Sequence, residues 1–407
     1  MMGEMQKPLP KGWKWVRLGE VCYKNTCLRD PRNNGSGSFE YVDIASIDNI
    51  QGIILSYKTI SNGKAPSRAR KIIKSNDILI STVRPNLNAV SIVPEKLNNQ
   101  IASTGFCVLR IMSELADYRY FYLFCRTKYF SKKLSDKTKG ANYPAVSEKD
   151  VFDFPIPLPP LLTQHKIVEI LEETDNLRKL RRQADEKMKD LIPSLFVQMF
   201  GDPATNPKGW QMRLLSDVIL FQEGPGIRNW QFTNEGIKLL NVKNIVNGVL
   251  DLTNTDRFLS YTEVEKTYKH FLAEAGDLVM ASSGVTWGKT AWVHDQHLPL
   301  CMNTSTIRFK PKDKNVIDRQ YMRYIFDSGF FKDQIRKIIT GAAQPNFGPL
   351  HLRQVKILLP PLGLQQQFAR LVEEIEAEKT RQAESRRKLD ELFFSLMQRA
   401  FTGELVA

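Results

Sequence analysis

Residues 282 to 293, SSGVTWGKTAWV, are where the chain comes nearest to nucleotide chemistry. Gly288, Lys289 and Thr290 supply the G-K-T ending of a phosphate loop. In such a loop, curled backbone N–H groups cradle phosphates, Lys neutralises the outer ones, and Ser or Thr reaches the metal. The first Gly of the pattern belongs at position 283, which is Ser283, and Gly284 is one residue too close. A phosphate loop must also open into a helix, and TAWVHD is a poor helix start. The spacing therefore predicts a strand–loop–strand turn, with an NTPase using residues 282–290 as the alternative reading.

A second chemistry is better supplied. The chain carries 58 Lys and Arg against 44 Asp and Glu, a formal net charge of +14. An excess of this size favours a polyanionic partner, because each neutralised phosphate releases condensed counterions. Base reading wants Arg or Lys toward guanine and Asn or Gln toward adenine, while Lys, Arg, Ser and backbone N–H groups hold phosphates. GKAPSRARK offers Lys64, Arg68, Arg70 and Lys71; STVRPNLNAV offers Arg84, Asn86 and Asn88; TKGANYPAVS adds Lys139 and Asn142. Farther along stand Arg228 and Asn229 in GPGIRNWQF, Trp287 and Lys289 in the opening stretch, Thr304, and Gln344 with Asn346 in ITGAAQPNFG.

Other chemistries are poorly served. The five cysteines include no C-x-x-C pair and suit neither a zinc site nor a disulfide framework. His294 and His297 are close in sequence but lack further ligands nearby, so no metal site is expected. No N-P-P-[YF]-type tetrapeptide for base methylation occurs, NPKG at 206 being the nearest approach. No catalytic residues are expected in this chain.

These residues sit in a chain that is written twice. PKGW occurs at 10–13 and at 207–210; SNDILIST (75–82) lies over AGDLVMAS (275–282); TKGANYPAVS (138–147) lies over ITGAAQPNFG (339–348); and PLPPLLTQHKIVEIL (157–171) lies over LLPPLGLQQQFARLV (358–372). The offset drifts only from 197 to 201, as expected of a colinear duplication with a few loop insertions. On this alignment the G-K-T stretch occupies the place of STVRPNLNAV, where no G-K-T exists.

Each copy begins with short apolar runs broken by turn residues, among them YVDIASI, DILISTV and FCVLRIM, matched later by IKLLNVKNI, DLVMAS and STIRFK. Such runs predict strands. A helical stretch follows, around 116–134 and 318–338. Prolines 155, 157, 159 and 160, and likewise 360 and 361, force an extended approach to a long helix. Ile167, Ile170, Leu177, Met188, Leu191 and Leu195 then recur with helical spacing, and Phe368, Leu371, Ile375, Leu389, Leu392 and Leu396 repeat the stripe. We read this as an a/d seam between two helices. Pro193 falls inside the seam where the second copy has Phe394, predicting a kink or break.

This architecture resembles the specificity subunits of type I restriction–modification systems. The likeness covers essentially the whole chain: a globular unit, a PLPP-type hinge followed by Gln (Gln164, Gln365), a long helix, and then all three again. The openings LPKGWKWVRLGEV and NPKGWQMRLLSDV fit as well. The resemblance implies an α+β fold of two tandem mixed α/β target recognition domains, with two helices pairing as an antiparallel coiled coil in a pseudo-two-fold repeat. The domains would be 1–158 and 202–358, with hinge and spacer helix at 159–201 and 359–407. Each domain would read one half of a bipartite site in double-stranded DNA, and the helices would dock two modification subunits. This chain itself would hold no cofactor. S-adenosylmethionine would belong to the modification subunit, and ATP and magnesium to the restriction subunit of systems that cleave. A bivalent nucleic-acid scaffold unconnected with methylation is the other reading. No apolar run reaches the length of about 20 residues that spans a bilayer, and the first residues lack the apolar core of a signal peptide. A cytoplasmic protein without membrane association is expected.

Overall fold

The structure, a computed structural model, describes residues 8–23, 27–33, 35–138, 144–339 and 346–406. The chain divides into two compact units. Unit 1 combines Met1–Arg182 with Glu384–Ala407, and unit 2 is Gln183–Ala383.

In unit 1 the buried run Ile78–Ser81 becomes the centre of an antiparallel sheet between Phe106–Leu109 and Val90–Ile92. Ser38–Val42 pairs antiparallel with Lys58–Ser61 and parallel with Gln100–Ser103, whose far edge takes Ala69–Ile73. Asp77, buried just before the central strand, is held by Arg110 through two bonds of 2.8 and 2.6 Å. Unit 2 repeats the plan. Leu278–Ala281 lies between Thr306–Pro311 and Thr290–Trp292, and buried Asp277 meets Lys310 at 3.2 Å. The repeated Asp is therefore an ion-pair anchor for the sheet.

Each predicted helical stretch is two helices. Tyr118–Cys125 and Lys128–Ser135 are separated where the Thr127 hydroxyl accepts the Phe130 N–H at 3.1 Å. Arg319–Asp327 and Gly329–Ile338 are separated at Ser328, which caps Phe331. A hydroxyl that satisfies the first-turn N–H groups starts a new helix at that point. The Pro-rich hinges are extended as expected. Pro155–Leu158 pairs with Lys14–Arg17, and Lys356–Leu359 with Gln211–Leu214, so each hinge closes onto the opening strand of its own copy.

The first long helix runs Leu161–Lys189 and restarts as Leu191–Phe200. Pro193 lies in the first turn of the restarted helix, where it has no N–H to donate to the Lys189 carbonyl, and the preceding segment ends there. The second helix is unbroken from Leu362 to Thr402. Within unit 1 the first part of one helix packs with the last part of the other. Within unit 2 the last part of the first helix packs with the first part of the second, as an antiparallel pair requires.

The expected seam needs correction. Ile167 and Phe368 are buried, and Ile170, Met188, Leu195, Leu371, Ile375, Leu389 and Leu396 are half-buried. Leu177, Leu191 and Leu392, however, are 48%, 41% and 48% exposed. At the helix ends the buried stripe lies one residue along, at Ile192, Phe196 and Phe200 and at Phe393, Met397 and Phe401. The cause is that these ends seat in a globular core as well as on a helix. The Phe401 ring lies 5.2 Å from both Tyr120 and Phe124, and Phe200 lies 4.8 Å from Tyr321 and 5.3 Å from Phe368. In place of Leu177, the inward side chain is Arg178. Its Nε is 2.6 Å from Asp390, and its guanidinium lies 4.2 Å over the Phe393 ring. Just past the end of the second helix, any side chain at Gly403 (φ +79°) would strike Pro10 of the same unit.

Candidate nucleic-acid interface

In unit 1 the loop between Ile78–Ser81 and Val90–Ile92 carries Arg84 and Asn88, both in the left-handed region at φ +50° and +53°. Short-range backbone bonds join this loop to two others. The Arg84 N–H donates to Pro144 O at 2.8 Å, the Val146 N–H donates to Thr82 O at 2.9 Å, and Val83 bridges Ala145. On the other side Thr82 donates to Gly105 O from both its N–H and its hydroxyl at 2.9 Å, and the Thr104 N–H donates to Arg68 O. The three segments expected to supply contacts therefore meet around Thr82.

Lys64, Arg68, Arg84 and Asn86 are exposed. Asn88 is half-buried and donates to Arg126 O at 3.0 Å, so it shapes the loop. Arg70 is half-buried and paired with Asp30 at 3.1 Å. Lys71 departs from expectation. It is 3% exposed, donates to Phe106 O at 2.6 Å and pairs with Glu148 at 2.7 Å. Its strand, Ala69–Ile73, points alternate side chains inward, and Lys71 falls on the inward set with Ala69 and Ile73. Lys139 and Asn142 lie outside the described residues.

Unit 2 builds the matching place from the G-K-T stretch. Leu278–Ala281 and Thr290–Trp292 pair antiparallel, so the intervening loop feeds a strand. The Thr290 hydroxyl is buried and donates to Asp327 at 3.1 Å; burial raises the carboxyl of Asp327 above its ordinary range, opposed by the nearby Arg323 guanidinium. Neither the helix nor the free hydroxyl of a phosphate loop is present here. Ser283 bridges Asn346, the Phe347 N–H donates to Ser282 O at 3.1 Å, and the Ser282 N–H donates to Ser305 O at 2.9 Å. A further loop joins at Gly224, whose N–H donates to Thr306 O; a side chain there would collide with the Asn303 backbone.

Around this cluster Arg228, Asn229, Lys289, Thr304 and Asn346 are exposed, while Gln344 lies outside the described residues. Trp287 is half-buried, edge-on to Phe347 at 5.8 Å and under the Arg336 guanidinium, so it anchors the loop. His294 and His297 form a turn in which His297 Nδ1 accepts the His294 N–H at 3.0 Å. The sequence reading missed Trp230, 81% exposed beside Arg228 and Asn229, and Val285, 90% exposed at the loop tip. An indole inside the polar segment GPGIRNWQF was the available signal. Burial also raises the Glu223 carboxyl, at the end of the strand leading to Gly224. Exposed guanidinium, ammonium and amide groups with an indole can reach base edges, phosphates and base faces.

A family model described as the type I restriction modification DNA specificity domain matches residues 10–189 and again 207–388. The chain belongs to that family. Each match begins at a PKGW segment and ends within a long helix, so the specificity domain of this family takes in the globular part and the helix after it. A curated relative, the type I restriction enzyme MjaVIII specificity subunit of Methanocaldococcus jannaschii, is 26% identical over 90% of this chain and 87% of its own length. The MjaIX specificity subunit of the same organism is 23% identical over the same shares. A solved chain described with the assembly and conformational transition of the type I R-M system matches with a TM-score of 0.72 at 29% identity, covering 98% of this chain and 100% of that one. The HsdS subunit from Thermoanaerobacter tengcongensis matches with a TM-score of 0.56 at 29% identity, over 98% of this chain and 99% of that one. Among the described residues no helix is long and apolar enough to cross a membrane.

Proposed function

We propose that this chain is the sequence-reading subunit of a type I restriction–modification complex. Each unit reads one half of a bipartite site in double-stranded DNA. The long helices set the gap between the halves and dock two modification subunits, with restriction subunits joining in systems that cleave. Methyl transfer from S-adenosylmethionine, and ATP- and magnesium-dependent cleavage, belong to those partners, and the complex works in the cytoplasm. One observation carries the reading. Loops with different side chains are joined by equivalent bridges, Val83 to Ala145 in unit 1 and Ser283 to Asn346 in unit 2. A constant frame bearing variable loops is what two readers of different half-sites require.

Methylation mapping of cells with and without the gene tests this. A bipartite methylated motif should vanish with the gene. Arg84→Ala should relax base choice in one half only, since a good bidentate base contact is worth about 1–3 kcal/mol of discrimination. An unchanged methylation pattern without the gene, or relaxation of both halves by Arg84→Ala, rejects the proposal.

A further inference from the structure

Two glutamines occupy the same place in the two units. Gln164 and Gln365 are both 0% exposed and lie just past the hinge, in the first turns of the long helices. The Gln164 carbonyl accepts the Asp117 N–H at 2.9 Å, and its amide donates to Pro159 O at 2.9 Å. The Gln365 carbonyl accepts the Asp318 N–H at 2.9 Å, and its amide donates to Pro360 O at 2.7 Å and to Val316 O at 3.2 Å. Asp117 and Asp318 are the N-caps of Tyr118–Cys125 and Arg319–Asp327, the domain helices beside the hinge. A second bond reinforces each tie, from the Tyr120 hydroxyl to Pro157 O at 2.7 Å and from the Tyr321 hydroxyl to Leu358 O at 3.2 Å.

Apart from Val316, which only Gln365 reaches, the residues of this constellation have their counterparts 201 positions on: 117 and 318, 120 and 321, 157 and 358, 159 and 360, 164 and 365. The recognition loops, by contrast, share little beyond their bridges. Within each unit one side-chain amide ties the domain, the hinge and the long helix by directional bonds in a dry site. Apolar contacts would tolerate sliding and rotation there, whereas paired buried amide bonds do not.

We infer that Gln164 and Gln365 are positioning residues that fix the direction in which each long helix leaves its recognition domain, and thereby the sharpness of the spacer between half-sites. The inference rests on the proposed reading of the helices as a ruler. Losing the amide frees the helix angle without touching a recognition loop. The half-sites should stay the same while the spacer blurs.

The test uses the full chain assembled with its modification partner and reads the methylated motif genome-wide. Gln164→Met and Gln365→Met keep the volume and remove the bonds. Each should leave both half-sites intact and cut discrimination against spacers one base pair too long or short by about tenfold, the scale of a lost buried hydrogen-bond partner. Gln164→Glu and Gln365→Glu keep the acceptor and lose the donor, and are read the same way should the Met variants fail to fold. A spacer as sharp as the parent's in any folded variant overturns the inference, and so does relaxed base choice within a half-site. The control inserts one heptad after Asn176 and another after Ala377, which preserves the helical register. The added length of roughly 10 Å per helix corresponds to at most about three base pairs. An unmoved spacer in this control with full activity rejects the ruler itself. A moved spacer beside sharp Gln variants rejects only the tie.

Discussion

At the scale of single residues, charge count and charge use diverge. GKAPSRARK reads as one cationic run, yet its members face different surroundings. Lys64 and Arg68 are exposed, Arg70 answers Asp30, and Lys71 is sealed between Phe106 O and Glu148. Lys71→Met should therefore act on stability. The orphaned carbonyl costs about 1–3 kcal/mol, or about 2–4 °C of melting temperature per kcal/mol for a unit of this size. Lys64→Ala and Arg68→Ala should leave the melt alone, and each lost phosphate contact should lessen the salt slope of DNA binding by about one. Thermal denaturation and salt-dependent binding isotherms separate the two outcomes; a Lys71 variant with an unaltered melt and a shallower salt slope would reverse the assignment. The burial along Ala69–Ile73 alternates and turns Lys71 inward, but the residues ARKII themselves show no apolar–polar period of two. The burial of Thr290 beneath the G-K-T loop, against Asp327 on a helix distant in sequence, had no local sign at all.

Among the elements, strands and hinges were legible because turn residues and prolines act locally. Helix ends were not. Heptad counting sees only the partner helix, so it placed Leu191 and Leu392 inward, whereas the aromatic seats in Tyr120, Phe124 and Tyr321 pull the neighbouring positions in. Those seats make a sharp expectation. Phe401→Ala should cost about 3–5 kcal/mol, as for other buried Phe truncations, and should loosen unit 1 although the residue stands at the far end of the chain. Phe200→Ala should do the same to unit 2. Hydrogen exchange reads both. Protection should fall in Tyr118–Cys125 for the first variant and in Arg319–Asp327 for the second; loss in both helices from either change would contradict separate seats.

For the molecule as a whole, the repeat predicts what half of it can do. Phe200 and Phe401 occupy equivalent seats, as do Phe196 with Met397 and Ile192 with Phe393. A chain stopped after Gly201 keeps a domain, an empty seat and the helix end that fits it. Two such chains should pair with two-fold symmetry and read an inverted repeat of one half-site. Light scattering at micromolar concentration, with the modification partner added, checks the pairing, and a persistent monomer rejects it. Domain boundaries drawn along the chain, at 158, 201 and 358, could not foresee that the last helical turns complete the first unit. That completion joins residues from opposite ends of the sequence, and no local pattern records it.

The seating of Phe401 on unit 1 also sets an order of events during synthesis. Unit 2 is one uninterrupted stretch and has all of its core once residue 383 has left the ribosome. Unit 1 is translated first, yet its core lacks Phe393, Met397, Ala400 and Phe401 until after unit 2 has been made. The first domain made is thus the last to close. Any nascent chain halted between the two moments displays an open aromatic socket, a ready target for chaperones and proteases. Only a chain read past residue 401 conceals it, so closure of the first domain certifies that the second has been made.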